Sequence, residues 1–527
     1  MVDVFGAYSP PTRRSNGMAK YTRRDASIMN TWDPVLYWYA RAVGEMQKRN
    51  AGDPTSWVFQ ARMHGVEGGA NLPPPIPKHW NQCPHGGWYF LPWHRAYIWY
   101  FERIVRATIK KIAAAEGITP DPSATWALPY WNYALDPAGT EPAFTSRALP
   151  AAFREPQMPS KPDGSGPLVA NPLYLPDSRV PEQDFWKKPH RGEGQNSAHE
   201  VVDHDAASPY CAMQLDIFSL PKGGMVPQPS FGSANSGPDM PHFDRQGPGQ
   251  LELTPHGLIH DGIGGWMGAV SGSARDPIFW LHHANIDRFW PSWLKRDVHR
   301  KNPQEPWLSR KFILFDESGS QVQPEPTPRD FVKPDLDYEY ESLDKGTGQH
   351  PVVCAQQVVS AEERVLVTSN PGHPLSLAEP TEVPLEAADD SSQAQSFLAS
   401  GDVPETGLIL TVKGIRSNTP PGTPYRVYLN PPQGEGQPDN DYFVGWVSFF
   451  GATDVEGGHH GHGEGNGDGN EFSYDITDRV RQLQERGLWT QDPLTVSIVP
   501  ATPAPSEFAA SPDAPRPSVE HVIITTR

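Results

Sequence analysis

Cysteine is nearly absent. The 527 residues contain three, Cys83, Cys211 and Cys354. So few thiols imply no disulfide framework and allow a reducing compartment. Also missing is any apolar run of about 18 residues, which excludes a transmembrane helix. The first twenty residues hold no apolar stretch of the kind a secretory signal needs. Arg13-Arg14 is followed by polar sequence, unlike a twin-arginine signal. A soluble cytoplasmic protein is the default expectation, although a helper protein that carried it elsewhere would leave no mark here. Basic residues are in deficit too: 44 Lys and Arg against 62 Asp and Glu give a net charge of -18. That balance argues against nucleic-acid backbones and anionic membranes as partners. It does not identify the substrate, and homo-oligomerisation stays open.

Proline and glycine are plentiful, 59 and 47 residues. Much of the chain must therefore be loop wrapped around a smaller regular core. Asp33 to Met46 reads as an amphipathic helix capped near Asn30-Thr31, and Ser56 to His64 as a shorter one. Pro92 suits a helix start, and the run from Trp93 to Ile112 is apolar and aromatic all round, as in a buried central helix. Asp136 to Gln250 is mostly proline-rich loop, too long for an ordinary connection and typical of a functional rim.

The histidines carry the chemistry. His256 and His260 stand at i, i+4, so on a helix both imidazoles leave one face a turn apart. The pair His282-His283 lies on a following aromatic-rich helix, Asp276 to Trp293. Three imidazoles from two helices suit Zn, Cu, Fe or Ni. His64, His85 and His94 form a second triad: a helix end, a Gly loop beside Cys83, and the opening of the buried helix. Neither triad contains a carboxylate. That disfavours a di-iron carboxylate site, and the HGLIH run lacks the glutamate of a zinc protease. Copper fits best, and two adjacent coppers fit O2 chemistry.

The stretches Met63-His64, Cys83-Pro84-His85, Phe90-Leu-Pro-Trp-His94-Arg95, His256-Gly-Leu-Ile-His260 and Asp276-Pro-Ile-Phe-Trp-Leu-His-His283 resemble the paired copper signatures of type 3 copper proteins. These are the tyrosinases, catechol oxidases and haemocyanins. The resemblance implies a four-helix bundle around a binuclear copper centre. His64, His85 and His94 would bind one copper (CuA), and His256, His260 and His283 the other (CuB). His282 would be a neighbour in outer support. It further implies O2 as co-substrate, small phenols as substrates, ortho-hydroxylation of monophenols, and oxidation of o-diphenols to o-quinones. The tyrosinase reading is preferred. Catechol oxidase, o-aminophenol oxidase and a haemocyanin-like oxygen carrier are the alternatives.

By the same resemblance, Glu252 would hold a water near the coppers, with a helix-dipole glutamate as the plain alternative. Gly257, where monophenol hydroxylases often have Asn, should favour diphenols over monophenols. Asp261 would place an anion at the entrance and favour cationic substrates. Val270, thirteen residues before His283, would be a small and open gate. Cys83 would form a thioether to His85. Asp287 would support the CuB helix, with Arg95 as its partner.

Tyr338-Glu-Tyr340 resembles the motif that closes the catalytic domain in plant enzymes. The expected domains are 1–340 catalytic, 341–400 linker and first strands, and 401–527 a C-terminal antiparallel β-sandwich-like domain that shields the site. Strands are expected at Leu408–Val412, Tyr425–Leu429, Tyr442–Phe450 and Leu494–Val499. The ADDSSQAQS stretch looks flexible in composition. The tract 457–470, with His459, His460 and His462, reads as a loop tip that could also capture copper.

Overall fold

The computed structural model describes residues 21–526 except 69–76, 136–145, 179, 221–228, 238–247, 334–335, 349–351, 356, 359–363, 433–437, 454–469 and 490–493. The N-terminal twenty residues and the histidines at 459, 460 and 462 lie outside the described residues.

The helical part begins with α1 (Pro34–Gln47), capped by Asp33, whose carboxylate accepts the Val35 amide. The cap is therefore Asp33, not Asn30-Thr31: a carboxylate followed by Pro at the first helical position is the stronger start signal. α2 (Trp57–His64) is capped by the Ser56 hydroxyl and ends at His64. α3 (Phe90–Ala115) starts three residues earlier than expected. Pro92 sits inside its first turn, where a missing N–H costs nothing. The long rim region supplies a small hairpin (Gln157–Pro159 with Leu168–Ala170) and the short helices α4 (His204–Ala207) and α5 (Tyr210–Gln214). α6 (Leu258–Ile263), α7 (Val270–Ser273) and α8 (Ile278–Arg296) follow. α8 is started by Asp276, whose carboxylate accepts the Ile278 amide and pairs with the fully buried Arg191.

The C-terminal part is built on two antiparallel sheets. One has six strands in the order 357–358, 470–475, 408–415, 521–526, 364–368, 386–387. The other has four, in the order 443–447, 425–429, 495–500, 381–384. The segment 341–400 thus contributes strands to both sheets. The stretch expected to be flexible includes the start of a helix, Ser392–Ser400, capped by the Ser391 hydroxyl and ended at the left-handed Gly401. Composition suggested disorder, but the local cap chemistry decided otherwise.

The strands Tyr425–Leu429 and Phe443–Val447 are buried along their whole length. One face meets the six-stranded sheet: Gly445 lies where any Cβ would strike the Tyr474 ring, and the Tyr474 hydroxyl donates to the Trp446 carbonyl. The other side meets the helical part through the Arg426–Asp203 ion pair.

Cys211 of α5 and Cys354 are joined by a disulfide, with Cα atoms 5.4 Å apart. This corrects the expectation of no disulfide. The two cysteines are 143 residues apart in sequence, so no spacing pattern announces the pair. A disulfide persists in oxidising surroundings, so the structure lends the cytoplasmic expectation no support. No helix among the described residues is long and apolar enough to cross a membrane.

Candidate metal centre

Six histidines converge between α2, α3, α6 and α8. His64, at the end of α2, has ring centroids 5.6 Å from His85 and 5.5 Å from His94. His256 lies one residue before the Gly257 that caps α6. Its ring is 4.7 Å from His260 and 5.1 Å from His283 of α8. The two groups face each other, with His94 and His283 stacked at 4.5 Å. Ligand atoms lie within 4.8 Å of one another in three clusters: His64, His94 and His283; His64, Cys83 and His85; and His256, His260, His282 and His283. None of these clusters includes a carboxylate.

Carbonyl groups set the tautomers. A carbonyl can only accept, so each histidine facing one must donate from Nδ1 and aim a lone pair from Nε2. Four do so: His64 to Val270 (3.1 Å), His94 to Phe90 (2.8 Å), His256 to Glu252 (3.0 Å) and His260 to Met267 (2.7 Å). Burial, reinforced by neighbouring imidazoles, pushes the pKa values of His256, His260, His282 and His283 well below the usual histidine range. They are neutral, as metal ligands must be. The Nε2 atoms of these four are buried without a hydrogen-bond partner among the described residues. Leaving such atoms unpaired costs about 1–3 kcal/mol each, and an imidazole-loving cation removes that cost. The donor set therefore fits copper.

Around the centre, Glu252 is buried. Its carboxylate accepts the Gly86 amide at 2.8 Å and the Ser233 hydroxyl, tying the loop of His85 to the segment of His256. The Cys83 sulfur is 3.6 Å from His85 Nδ1, and this cysteine is not in the disulfide. Val270, expected as a small and open gate, is buried here, and its carbonyl accepts from His64 Nδ1. Asp261 is not an anion at an open entrance. It is wholly buried and accepts the Phe449 amide at 3.1 Å. Burial pushes its pKa well above the carboxylate range.

The covering group is Phe450, which a reading of the local sequence missed. Its ring stacks on His260 at 4.0 Å and 19°, and touches His256 and His85 edge-on at 5.5 and 5.8 Å. The expected strand Tyr442–Phe450 stops at Val447, and Ser448 to Phe450 peel off to reach the histidines. The only signal was a run too long for the sheet, broken by Ser448 and ended by Gly451.

Behind the centre, Asp287 receives Arg95 Nε (2.5 Å), Arg23 (3.3 Å) and the hydroxyls of Tyr338 (2.8 Å) and Tyr340 (2.6 Å). Burial alone would raise its pKa, but Arg95 and Arg23 outweigh burial and hold it below the carboxylate range. Its contribution is thus present above the ordinary carboxylate pKa and is lost as pH falls. Asp287→Ala leaves two buried guanidiniums without this carboxylate and is expected to cost about 3–5 kcal/mol. Denaturant unfolding of the variant checks this; a loss under about 1 kcal/mol would show that the network adds no stability.

Residues 54–296 match the common central domain of tyrosinase, and residues 364–511 match a domain of unknown function. The chain is 31% identical to tyrosinase HcTyr1 of Hahella sp. (strain CCB-MM4) over 500 residues, 90% of this chain and 94% of that one. The chain belongs to the tyrosinase family of type 3 copper proteins. It is also 30% identical over 320 residues to (+)-larreatricin hydroxylase of Larrea tridentata, where it spans about half the relative's length (47%). Its fold resembles that of latent apple tyrosinase, with a TM-score of 0.53 at 20% identity over 98% of this chain and 99% of that one. As a tyrosinase-family oxidoreductase it has a dicopper site with O2 as co-substrate.

Proposed function

We propose that the protein is a tyrosinase, hydroxylating monophenols and oxidising o-diphenols to o-quinones. In this reading His64, His85 and His94 hold one copper and His256, His260 and His283 the other. α2, α3, α6 and α8 serve as the four-helix bundle around them. The observation that carries the reading is the convergence of two buried imidazole groups, joined by His283, whose ligand atoms fall in a cluster with each. Bound copper supplies oxygen activation and takes up the electrons of the diphenol.

The chain's own residues do the rest. His260 offers the stacking face on which Phe450 now lies, so a phenol ring would sit there once Phe450 withdraws. A phenol with a pKa near 10 does not ionise readily at neutral pH. Glu252, held beside His85 and His256, orients a water that receives that proton. Cys83, close against His85, would form a thioether to a ring carbon that fixes the ring, the S–H and ring C–H hydrogens and two electrons being lost to O2 as oxidant. Intact mass should then show the loss of two hydrogens, and a Cys83 that alkylates in denatured, copper-loaded protein would rule the thioether out. The C-terminal part from about residue 341 shields the centre, with Phe450 as the contact.

Gly257 favours a second reading, catechol oxidase with little monophenolase activity, because glycine offers no side chain to hold the water of Glu252. The test is the copper-loaded protein mixed with tyramine or with dopamine. Quinone colour from both supports tyrosinase. Colour from dopamine alone supports catechol oxidase, and colour from neither defeats the oxidase proposal.

A further inference from the structure

Three of the helices that carry the histidines also carry a continuous run of aromatic rings. On α3, Trp93 and Tyr97 stand at i, i+4 beside His94 and stack at 4.7 Å and 27°. The Trp93 ring lies 4.9 Å from His94 and 6.3 Å from His64. Tyr97 meets Trp280 of α8 at 4.8 Å. Trp280 meets Trp57, the first residue of α2, at 6.0 Å, and Phe101 packs against both. Trp93, Tyr97 and Trp280 are wholly buried, whereas Trp57 is 4% exposed. The run therefore leads from the histidines to the edge of the protein, about 10 Å back along α2 from His64.

Close packing alone accounts for aromatic contacts at these distances. It does not account for the indole N–H groups. Buried tryptophans ordinarily find an acceptor, as Trp131, Trp293 and Trp307 do in the carbonyls of Ser146, Leu215 and Trp88. Trp93 and Trp280 have no hydrogen-bond partner for this group among the described residues, although an unpaired buried donor costs stability. What these indoles offer over Leu or Phe is ease of oxidation. Without an acceptor for the N–H proton, each can lose an electron and keep its proton. Between them, Tyr97 donates its hydroxyl to the Gln60 carbonyl. An amide carbonyl takes up no proton, so the Tyr97 ring is a bridge and not a stopping point.

We propose that Trp93, Tyr97, Trp280 and Trp57 form an electron-transfer chain between the copper centre and the surface. It is a second exit for oxidising equivalents, used when no phenol is present to take them. Trp93 gives one electron to the copper centre, with O2 as the ultimate oxidant, and each ring is refilled by the next one outward. The electron deficit ends on Trp57. There a one-electron reductant of the ascorbate class fills it, and the reductant's proton goes to water. No bond forms or breaks within the chain. The histidines are thereby spared oxidation by their own centre.

The test mixes copper-loaded, full-length protein with hydrogen peroxide in the absence of phenol. Oxidised side chains are mapped by peptide mass spectrometry, and radicals are trapped by freeze-quench EPR. An indole radical should appear. Trp57 should be oxidised before Trp99 and Trp186, which are both more exposed and lie off the chain. Ascorbate should suppress the mark at Trp57, and copper-free protein should lack it. Trp280→Phe keeps an apolar ring but interrupts the chain, so Trp57 should lose its mark while oxidation gathers at Trp93 and the histidines. Trp57→Phe, at the outer end, serves even if Trp280→Phe fails to fold, and its oxidation should retreat to Trp280. Oxidation ordered by exposure, no oxidised tryptophan at all, or a Trp57 mark undiminished in Trp280→Phe would overturn the chain. So would a Trp57→Phe protein whose Trp280 stays unmarked. None of these readouts uses a phenol, so they stand whether or not tyramine and dopamine are oxidised.

Discussion

His283→Ala is expected to abolish phenol oxidation and to lower bound copper from two ions per chain toward one. His283 is the residue whose ligand atoms fall both in the cluster with His64 and His94 and in the cluster with His256 and His260. Its ring stacks on His94 across the centre. Removing it opens a gap at the point where the two groups meet. His94→Ala should behave similarly from the other side. His282 makes a sharp comparison, because it is equally buried and neutral, and its ligand atoms lie in one of the same clusters. If it acts only as outer support, His282→Ala should cost about 10–100-fold in copper affinity or activity, less than the loss at 283. Elemental copper analysis with dopamine turnover decides. Full activity in His283→Ala, or a heavier loss in His282→Ala, would exchange the roles of the two residues.

Phe450→Ala in the full-length chain should raise turnover on diphenols. A stacked aromatic pair is worth about 0.5–1.5 kcal/mol beyond area burial. Withdrawing part of a ring from an apolar pocket costs roughly another 1.5 kcal/mol. A shift of about 2–3 kcal/mol toward the open centre corresponds to on the order of 30–150-fold in open population. The gain should appear in kcat/KM, and detergent should add little more. A copper-replete Phe450→Ala protein that turns over no faster than wild type would show that the ring is not what closes the centre.

The helical part was legible because its chemistry is local. Histidines four residues apart, a His pair on an aromatic helix, and Pro, Ser and Asp at helix starts each act within a turn or two. Phe450 was not legible. Its role depends on a strand ending three residues early, and that is decided by the neighbouring strand Tyr425–Leu429 and by a helix nearly two hundred residues upstream. Asp261 failed as an entrance charge for the same reason. Its sequence neighbours are copper-side residues, while its partners come from the distant C-terminal sheet. Arg23 was likewise invisible, since nothing near Tyr21 foretells that it ends under Asp287 and Glu102.

The bond between Cys211 and Cys354 changes what a protease can do to this protein. A cut anywhere from about Tyr340 to Val353 falls inside the loop the bond closes, since one cysteine lies on each side of it. Such a nick would leave two polypeptides still held by one covalent link, and the Phe450 segment would keep its high local concentration over the histidines. A nicked chain should therefore run as one species without reductant and as two with it. Release of the covering part would then require two events in either order, cleavage of the backbone and reduction of the sulfur bond. The redox state of the surroundings thereby becomes a condition on whether clipping has any effect on the enzyme.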